Sequence, residues 1–444
     1  MAASEPTGRP ATLEQAVERL LRAMPFDRQL LLAGVLVGVA TGVAAYVLHV
    51  TLAGFESLRE RFAASGAVLG VLSIAALPGI GGLISGWLTR RRFPEAGGHG
   101  IAEVARAINE KDGKVSAHVS WVKTLASAAT IGFGGSAGLE GPVVQIGASV
   151  GSLVGRLFET RGRELRTFVA AGATGGLSAA YGIPLAGVFF TMEVILKDFA
   201  NEAFPAVVVA SVTGAVVARM LVGGAVGVGP AVVAQWTRNS DLLLYALLGL
   251  ICAQLGRSYF DAIHYVEHLY ERWERLPAWM HPAIGGFLVG ALTLAVPLIG
   301  GTGETTSQAM LAGHALGWHA IPLALGKIAA TALTLGTGGS GGALTPSLFV
   351  GAAAGSGWGE AAMRLGVTTS SAGAFALAGM CACFTAAFSA PITGMMIGVE
   401  MTREYGLLMP VMICCAIAYL SSRRRVEHIV VPTADAPKSD GKAS

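Results

Sequence analysis

The chain has 444 residues, 53% of them hydrophobic and only 13% charged, with a formal net charge of +3 and five cysteines. The apolar residues are gathered into long uncharged runs, a balance that points to a membrane protein and away from a water-soluble catalytic domain or a nucleic-acid-binding surface. The odd cysteine count, with every cysteine in an apolar stretch, fits small core residues and no metal site.

In chain order, residues 1–27 are polar and lack the apolar core of a cleavable leader. Leu13, Val17, Leu20 and Leu21 fall at helical spacing among charges, which predicts an amphipathic segment at the cytoplasmic membrane surface, a soluble packing helix being the equal alternative. Leu30 to Ala53, Gly66 to Thr89, Leu242 to Gly256, Pro282 to Gly303 and Leu365 to Val399 carry no Asp, Glu, Lys or Arg. Because about 20 such residues cross a bilayer, these runs predict a multi-pass protein with about ten or more helical segments. Arg90, Arg91 and Arg92 follow one run and Arg423, Arg424 and Arg425 follow the last. Basic residues flanking spans set topology, so both termini are expected on the cytoplasmic side of the cell (inner) membrane. Residues 432–444 are Pro-, Asp-, Lys- and Ser-rich and read as a disordered cytoplasmic tail.

The chain repeats itself. Gly97-Gly98-His99-Gly100 is answered by Gly300-Gly301-Thr302-Gly303, an offset of 300 − 97 = 203. Lys123 to Gly132 is answered by Lys327 to Gly336, and Gly134-Gly135-Ser136 with Pro142 by Gly338-Gly339-Ser340 with Pro346, all at 327 − 123 = 204. Ala179, Ala180, Pro184 and Glu193 meet Ala386, Ala387, Pro391 and Glu400, where 391 − 184 = 207. The expectation is an all-α fold of two repeats, 28–224 and 225–431, the second including the last helix. Glycine and proline interruptions at matching places are the best sequence pointer to a transporter site at mid-membrane between repeats.

Gly138-Leu139-Glu140-Gly141-Pro142 and Gly342-Ala343-Leu344-Thr345-Pro346 each predict a helix start, since Pro in a first turn gives up no needed N–H. Gly98-His99-Gly100-Ile101 precedes a third start. Helix N-termini present unpaired N–H groups and a partial positive charge, so several aimed at one point bind an anion without gripping it too tightly for passage. Lys123 and Lys327 supply either a distant positive background or membrane-edge anchors. Glu140 is an ionisable residue deep in an apolar chain, costly there and functional by default. Leu344 holds the matching place in the other half, so the carboxylate is not part of the repeated scaffold. Ionised, it competes for the same N–H groups as an anion and acts as a gate.

These motifs resemble the CLC family of chloride channels and chloride/proton antiporters over nearly all the chain, from about Leu30 to Val431. Gly138 to Pro142 is similar to the family's Gly-Arg-Glu-Gly-Pro, Gly98 to Glu103 to Gly-Ser-Gly-Ile-Pro-Glu, and Gly342 to Pro346 to Gly-Ile-Phe-Ala-Pro. The resemblance implies inverted-topology repeats with broken helices meeting at mid-membrane, and a homodimer with one anion pathway per subunit. It implies Glu140 as external gate, with Gly98, His99, Gly100, Ile101, Gly138, Leu139, Gly141, Ala343 and Leu344 around the anion. His99 stands where the family has serine, Val194 where its antiporters have an inner glutamate, and Val430 nearest to a tyrosine of the last helix. Glu193 has the repeat mate Glu400, which sets a structural role at a helix end or subunit interface beside proton transfer; His99 is either a packing histidine or part of the pathway. Chloride or another small inorganic anion is the expected substrate, with protons as a second partner and no cofactor. The leading expectation is passive or weakly proton-coupled chloride passage; chloride/proton antiport is the alternative. An intramembrane enzyme using Glu140 and His99 is remote, since neither nucleophile nor metal constellation accompanies them.

Overall fold

The computed structural model describes residues 26–199, 202–224, 236, 238–273, 275–314 and 316–426, with the side chains of 26–29 and 423–426 not included. The expected amphipathic segment, Val430 and the tail from 432 lie outside the described residues. Among these residues the chain forms sixteen α-helices and no β-strand. The first eight are α1 (Phe26–Ala63), α2 (Ala67–Gly86), α3 (Ile101–Glu110), α4 (His118–Gly132), α5 (Glu140–Leu157), α6 (Gly162–Tyr181), α7 (Pro184–Phe190) and α8 (Phe204–Val222). The second eight follow in the same order of long and short: α9 (Leu242–Glu271), α10 (His281–Ala295), α11 (Glu304–Leu311), α12 (Ala320–Gly336), α13 (Leu344–Arg364), α14 (Ala372–Phe388), α15 (Pro391–Thr402) and α16 (Leu408–Val426).

Among the described residues seven helices, α1, α2, α8, α9, α10, α12 and α16, are long and apolar enough to cross a membrane. The others include half-length pieces, the broken helices of a polytopic membrane fold. The uncharged run Leu365 to Val399 is two helices, not one: Ser389 turns to φ +55° and Pro391 has no N–H to continue the ladder, so α14 ends and α15 begins. At the interior, α5 lies on α6 and α13 on α14. A Cβ on Gly147 would strike the carbonyl of Gly172, and one on Gly351 the carbonyl of Gly379. Glycine therefore lets the same pair of backbones touch in each half.

The halves are joined by contacts that occur twice, once in each sense. Gly138 N donates to Gly342 O and Gly342 N to Gly138 O, both at 2.8 Å, an antiparallel bridge just before α5 and α13. Ser136 Oγ lies 2.9 Å from Thr331 Oγ1, and its mate Ser340 Oγ lies 2.8 Å from Ser127 Oγ. Glu193 accepts from Thr393 N at 2.8 Å and Ile392 N at 3.2 Å, while Glu400 accepts from Ala186 N at 2.6 Å and Leu185 N at 2.8 Å. Each carboxylate caps the first turn of the short helix in the opposite half, which assigns both residues a helix-end role. Two helices that start from one antiparallel bridge run apart in opposite directions, so the repeats are inverted relative to each other.

Candidate functional site

The two bridged segments bring the starts of α5 and α13 together, and Glu140 is the first residue of α5. Its carboxylate crosses to the other half. Oε1 accepts from Leu344 N and from Thr345 N at 3.0 Å; Oε2 accepts from Tyr181 OH at 2.8 Å and Thr345 Oγ1 at 2.9 Å. Glu140 is wholly buried, so this charge is compensated by four donors and the positive end of α13, without a cationic side chain bonded to it. Gly138 and Gly342 make the room: a Cβ on either would overlap the carboxylate.

Two of these donors carry hydroxyls that sequence reasoning missed. Tyr181, the last residue of α6, also accepts from Leu139 N at 3.2 Å and lies 2.9 Å from Thr345 Oγ1. The repeat held the signal: Tyr181 is matched by Phe388, where 388 − 181 = 207, so this hydroxyl, like the carboxylate, exists in one half only. Thr345 sits inside a motif already singled out, yet its side chain faced no partner until the opposite half was in place.

The other expected residues are distributed as follows. Ala343 and Leu344 form the start of α13, with Ala343 O accepting from Tyr259 OH at 2.7 Å. Gly138 N is engaged in the bridge and Leu139 N with Tyr181, so those two N–H groups are occupied. Gly100 N donates to Glu103 Oε2 at 2.7 Å in a capping arrangement, and Ile101 is buried as the first residue of α3. The α3 start nevertheless touches the site directly: a Cβ on Gly100 would strike Gly141 O, and one on Gly141 would strike His99 O. Gly98 takes φ +77° and turns its carbonyl to Lys123 Nζ at 2.6 Å. His99 is half-buried, with Nδ1 enclosed and unpartnered. Val194 is buried in the apolar core.

Lys123 and Lys327 are fully buried, which removes the membrane-edge reading. Lys123 serves the loop before α3; Lys327 donates to Gly301 O at 2.8 Å and Ile299 O at 3.0 Å before α11 and lies 5.2 Å over the Phe349 ring. Each ammonium thus fastens a glycine turn that its own repeat must bend.

Beyond His99 opens a cavity of about 640 Å³, lined by Arg90, Glu95, Gly98, Glu103, Arg106, Lys111, Lys114 and Glu267 among others. Its basic rim attracts anions toward the α3 start. Among the described residues no group of three or more His, Cys, Asp or Glu is arranged to hold a metal ion, and all five cysteines are free and buried.

The chain is 32% identical over 354 residues to a ClcB-like protein of Ralstonia nicotianae, covering 78% of this chain and 81% of that one. It is 31% identical over 415 residues to the H(+)/Cl(-) exchange transporter ClcA of Citrobacter koseri, covering 91% and 87%. Its fold matches the crystal structure of a slow cyanobacterial Cl−/H+ antiporter with a TM-score of 0.81 at 23% identity, over 89% of this chain and 94% of that one. A family profile described as "Voltage gated chloride channel" matches residues 81–423. With its inverted halves and the carboxylate set between them, the chain belongs to the CLC family of voltage gated chloride channels and their transporter relatives.

Proposed function

We propose that this protein exchanges chloride for protons across the cell (inner) membrane, with both termini cytoplasmic and Glu140 as the gate. The observation that carries the reading is the Glu140 carboxylate lying on the N-terminus of α13, where four donors converge on it. An anion needs the same donors. Chloride and the carboxylate therefore compete, and protonating Glu140 removes the competitor's charge. The donors left behind are the Leu344 and Thr345 N–H groups and two hydroxyls, strong enough together to attract chloride and, lacking a full cation, weak enough to release it.

Passive passage was the leading expectation, and the balance moves to exchange for two reasons. One residue both binds a proton and vacates an anion site, which is the minimum device for coupling. The relative from Citrobacter koseri, matched over 91% of this chain, is named as an exchange transporter. Passive passage remains as a second reading because Val194, buried and apolar, offers no inner proton carrier. The face bearing Arg90, Arg106, Lys111 and Lys114 is cytoplasmic by its charge, which makes the 640 Å³ cavity the inner entrance. Two copies form the assembly, each with its own pathway, which crosslinking in native membranes tests.

The deciding experiment is purified protein in liposomes, with chloride efflux and proton movement recorded together. A chloride gradient should drive protons uphill, and chloride flux should rise as pH falls because protonation releases the gate. Glu140→Gln, a neutral mimic that carries no proton, should lose proton movement by at least about a hundredfold and flatten the pH profile. Wild-type chloride flux without uphill protons would leave the passive reading; no anion flux from either protein would refute both.

A further inference from the structure

We infer that the inner end of the proton route is Glu267 of α9, working with His264 and His99 across the cytoplasmic cavity, in place of a glutamate at Val194. The inference rests on the exchange reading above.

Three carboxylates line the cavity, and two are committed elsewhere. Glu103 closes the capping arrangement on Gly100 N at 2.7 Å and lies 3.8 Å from Arg106. Glu95 accepts from Ser116 Oγ and lies 3.5 Å from His118 on the exposed side. Glu267 instead faces imidazoles. His264 Nδ1 lies 3.2 Å from Glu267 Oε2, and the other nitrogen of that ring, Nε2, is buried with no hydrogen-bond partner. His99 lines the same cavity, and its buried Nδ1 is likewise unpartnered. Two enclosed imidazole nitrogens without partners, one on the ring bonded to Glu267 and one on a ring that lines the same cavity as Glu267, are a cost that a structural role does not explain.

The charges around His99 come from each element packed on it: Glu103 from α3, Lys123 from α4, and Glu267 and His264 from α9. Around Glu267 stand Arg90, His264, His268 and His99. This is a field of both signs, with acids and bases around the ring. His99 also holds the right place. It lines the cavity, and its backbone carbonyl abuts Gly141, the residue after Glu140, so the residue links the cavity wall to the start of α5.

A hydronium ion of the cytoplasmic solution protonates the Glu267 carboxylate and leaves water. That proton passes through water to one nitrogen of His99, whose other nitrogen releases one toward Glu140, leaving the imidazole neutral again. Protonated Glu140 then lets go of α13. Glu267 ends as it began, His99 ends neutral in its other tautomer and is reset by a flip of the ring, and the net change is one proton delivered to the gate.

The test is the proton-to-chloride ratio in liposomes, measured with both ions in the same vesicles. Glu267→Gln should lower the ratio at least about tenfold, and Glu267→Asp should restore most of it. His99→Ser, which removes both ring nitrogens, should lower the ratio too. An unchanged ratio in Glu267→Gln would overturn the inference while leaving exchange intact. So would equal loss of both ions in Glu267→Gln that Glu267→Asp does not rescue, which would mark Glu267 as structural. Wild-type protein that moves no protons would defeat the exchange reading, and this route with it.

Discussion

The two halves of the molecule share a scaffold and differ at the centre. Lys123 and Lys327 hold equivalent turns, Glu193 and Glu400 cap each other's helices, and Gly138 and Gly342 exchange equal hydrogen bonds. Where α5 and α13 meet, one half supplies Glu140, Tyr181 and His99, and the other supplies Leu344, Phe388 and Thr302 at the same steps of the repeat. What is duplicated carries the fold; what is not carries the chemistry. A symmetric pair of carboxylates would occupy both helix starts and leave none for an anion.

That contrast can be broken on purpose. Leu344→Glu places a second carboxylate beside the first, and two like charges in one buried site cannot both ionise. Chloride flux should fall by more than about a hundredfold, read as efflux from liposomes against total protein incorporated. Full flux in this variant would mean that the asymmetry is incidental.

The scaffold lysines should behave as a matched pair. Lys123→Met and Lys327→Met remove the donors to the part-buried Gly98 O and the buried Gly301 O, at about 1 to 3 kcal/mol per side. Thermal denaturation in detergent should show losses of similar size for both. A loss confined to Lys123 would tie that residue to the anion path and not to the fold.

Tyr181→Phe copies the second half into the first. It removes one hydrogen bond to a charged acceptor, about 1.5 kcal/mol or roughly tenfold in gate occupancy. Chloride flux at neutral pH should rise by up to that factor, and the pH profile should shift toward higher pH, because less acid is needed to free a weaker gate. The smallest effect belongs to Glu193→Gln. An amide still caps Thr393 through its oxygen, so stability should fall by about 1 kcal/mol or less, with the proton-to-chloride ratio unchanged. A collapsed ratio there would transfer the inner proton role from Glu267 to Glu193.

Much of this was legible in the sequence because a repeat reports on itself. The interruptions at Gly138 to Pro142 and Gly342 to Pro346 gave the helix starts, and the mismatch of Glu140 with Leu344 gave the centre. The same comparison would have exposed Tyr181 had Phe388 been set against it. Other features could not be read. The uncharged stretch from Leu365 to Val399 has no polarity change to betray its break, which depends on Ser389 and Pro391. Lys123 and Lys327 were ambiguous because burial is tertiary; only the carbonyls of turns some 25 residues away show where their charge rests. Glu267 lies in a charged helix end, and nothing local distinguishes it from a solvated acid until the cavity brings His99 to it.

The exchanged caps carry a consequence for biosynthesis. The first turn of α7 is satisfied by Glu400, which lies 214 residues beyond Ala186. At a translation rate of about 5 to 20 residues per second, that partner leaves the ribosome roughly ten to forty seconds later. For that interval the first half is in the bilayer with the Leu185 and Ala186 N–H groups awaiting an acceptor. Glu193, made early, waits in turn for Ile392 and Thr393. Neither half supplies its own caps, so the first turns of α7 and α15 are satisfied only once both halves are in place.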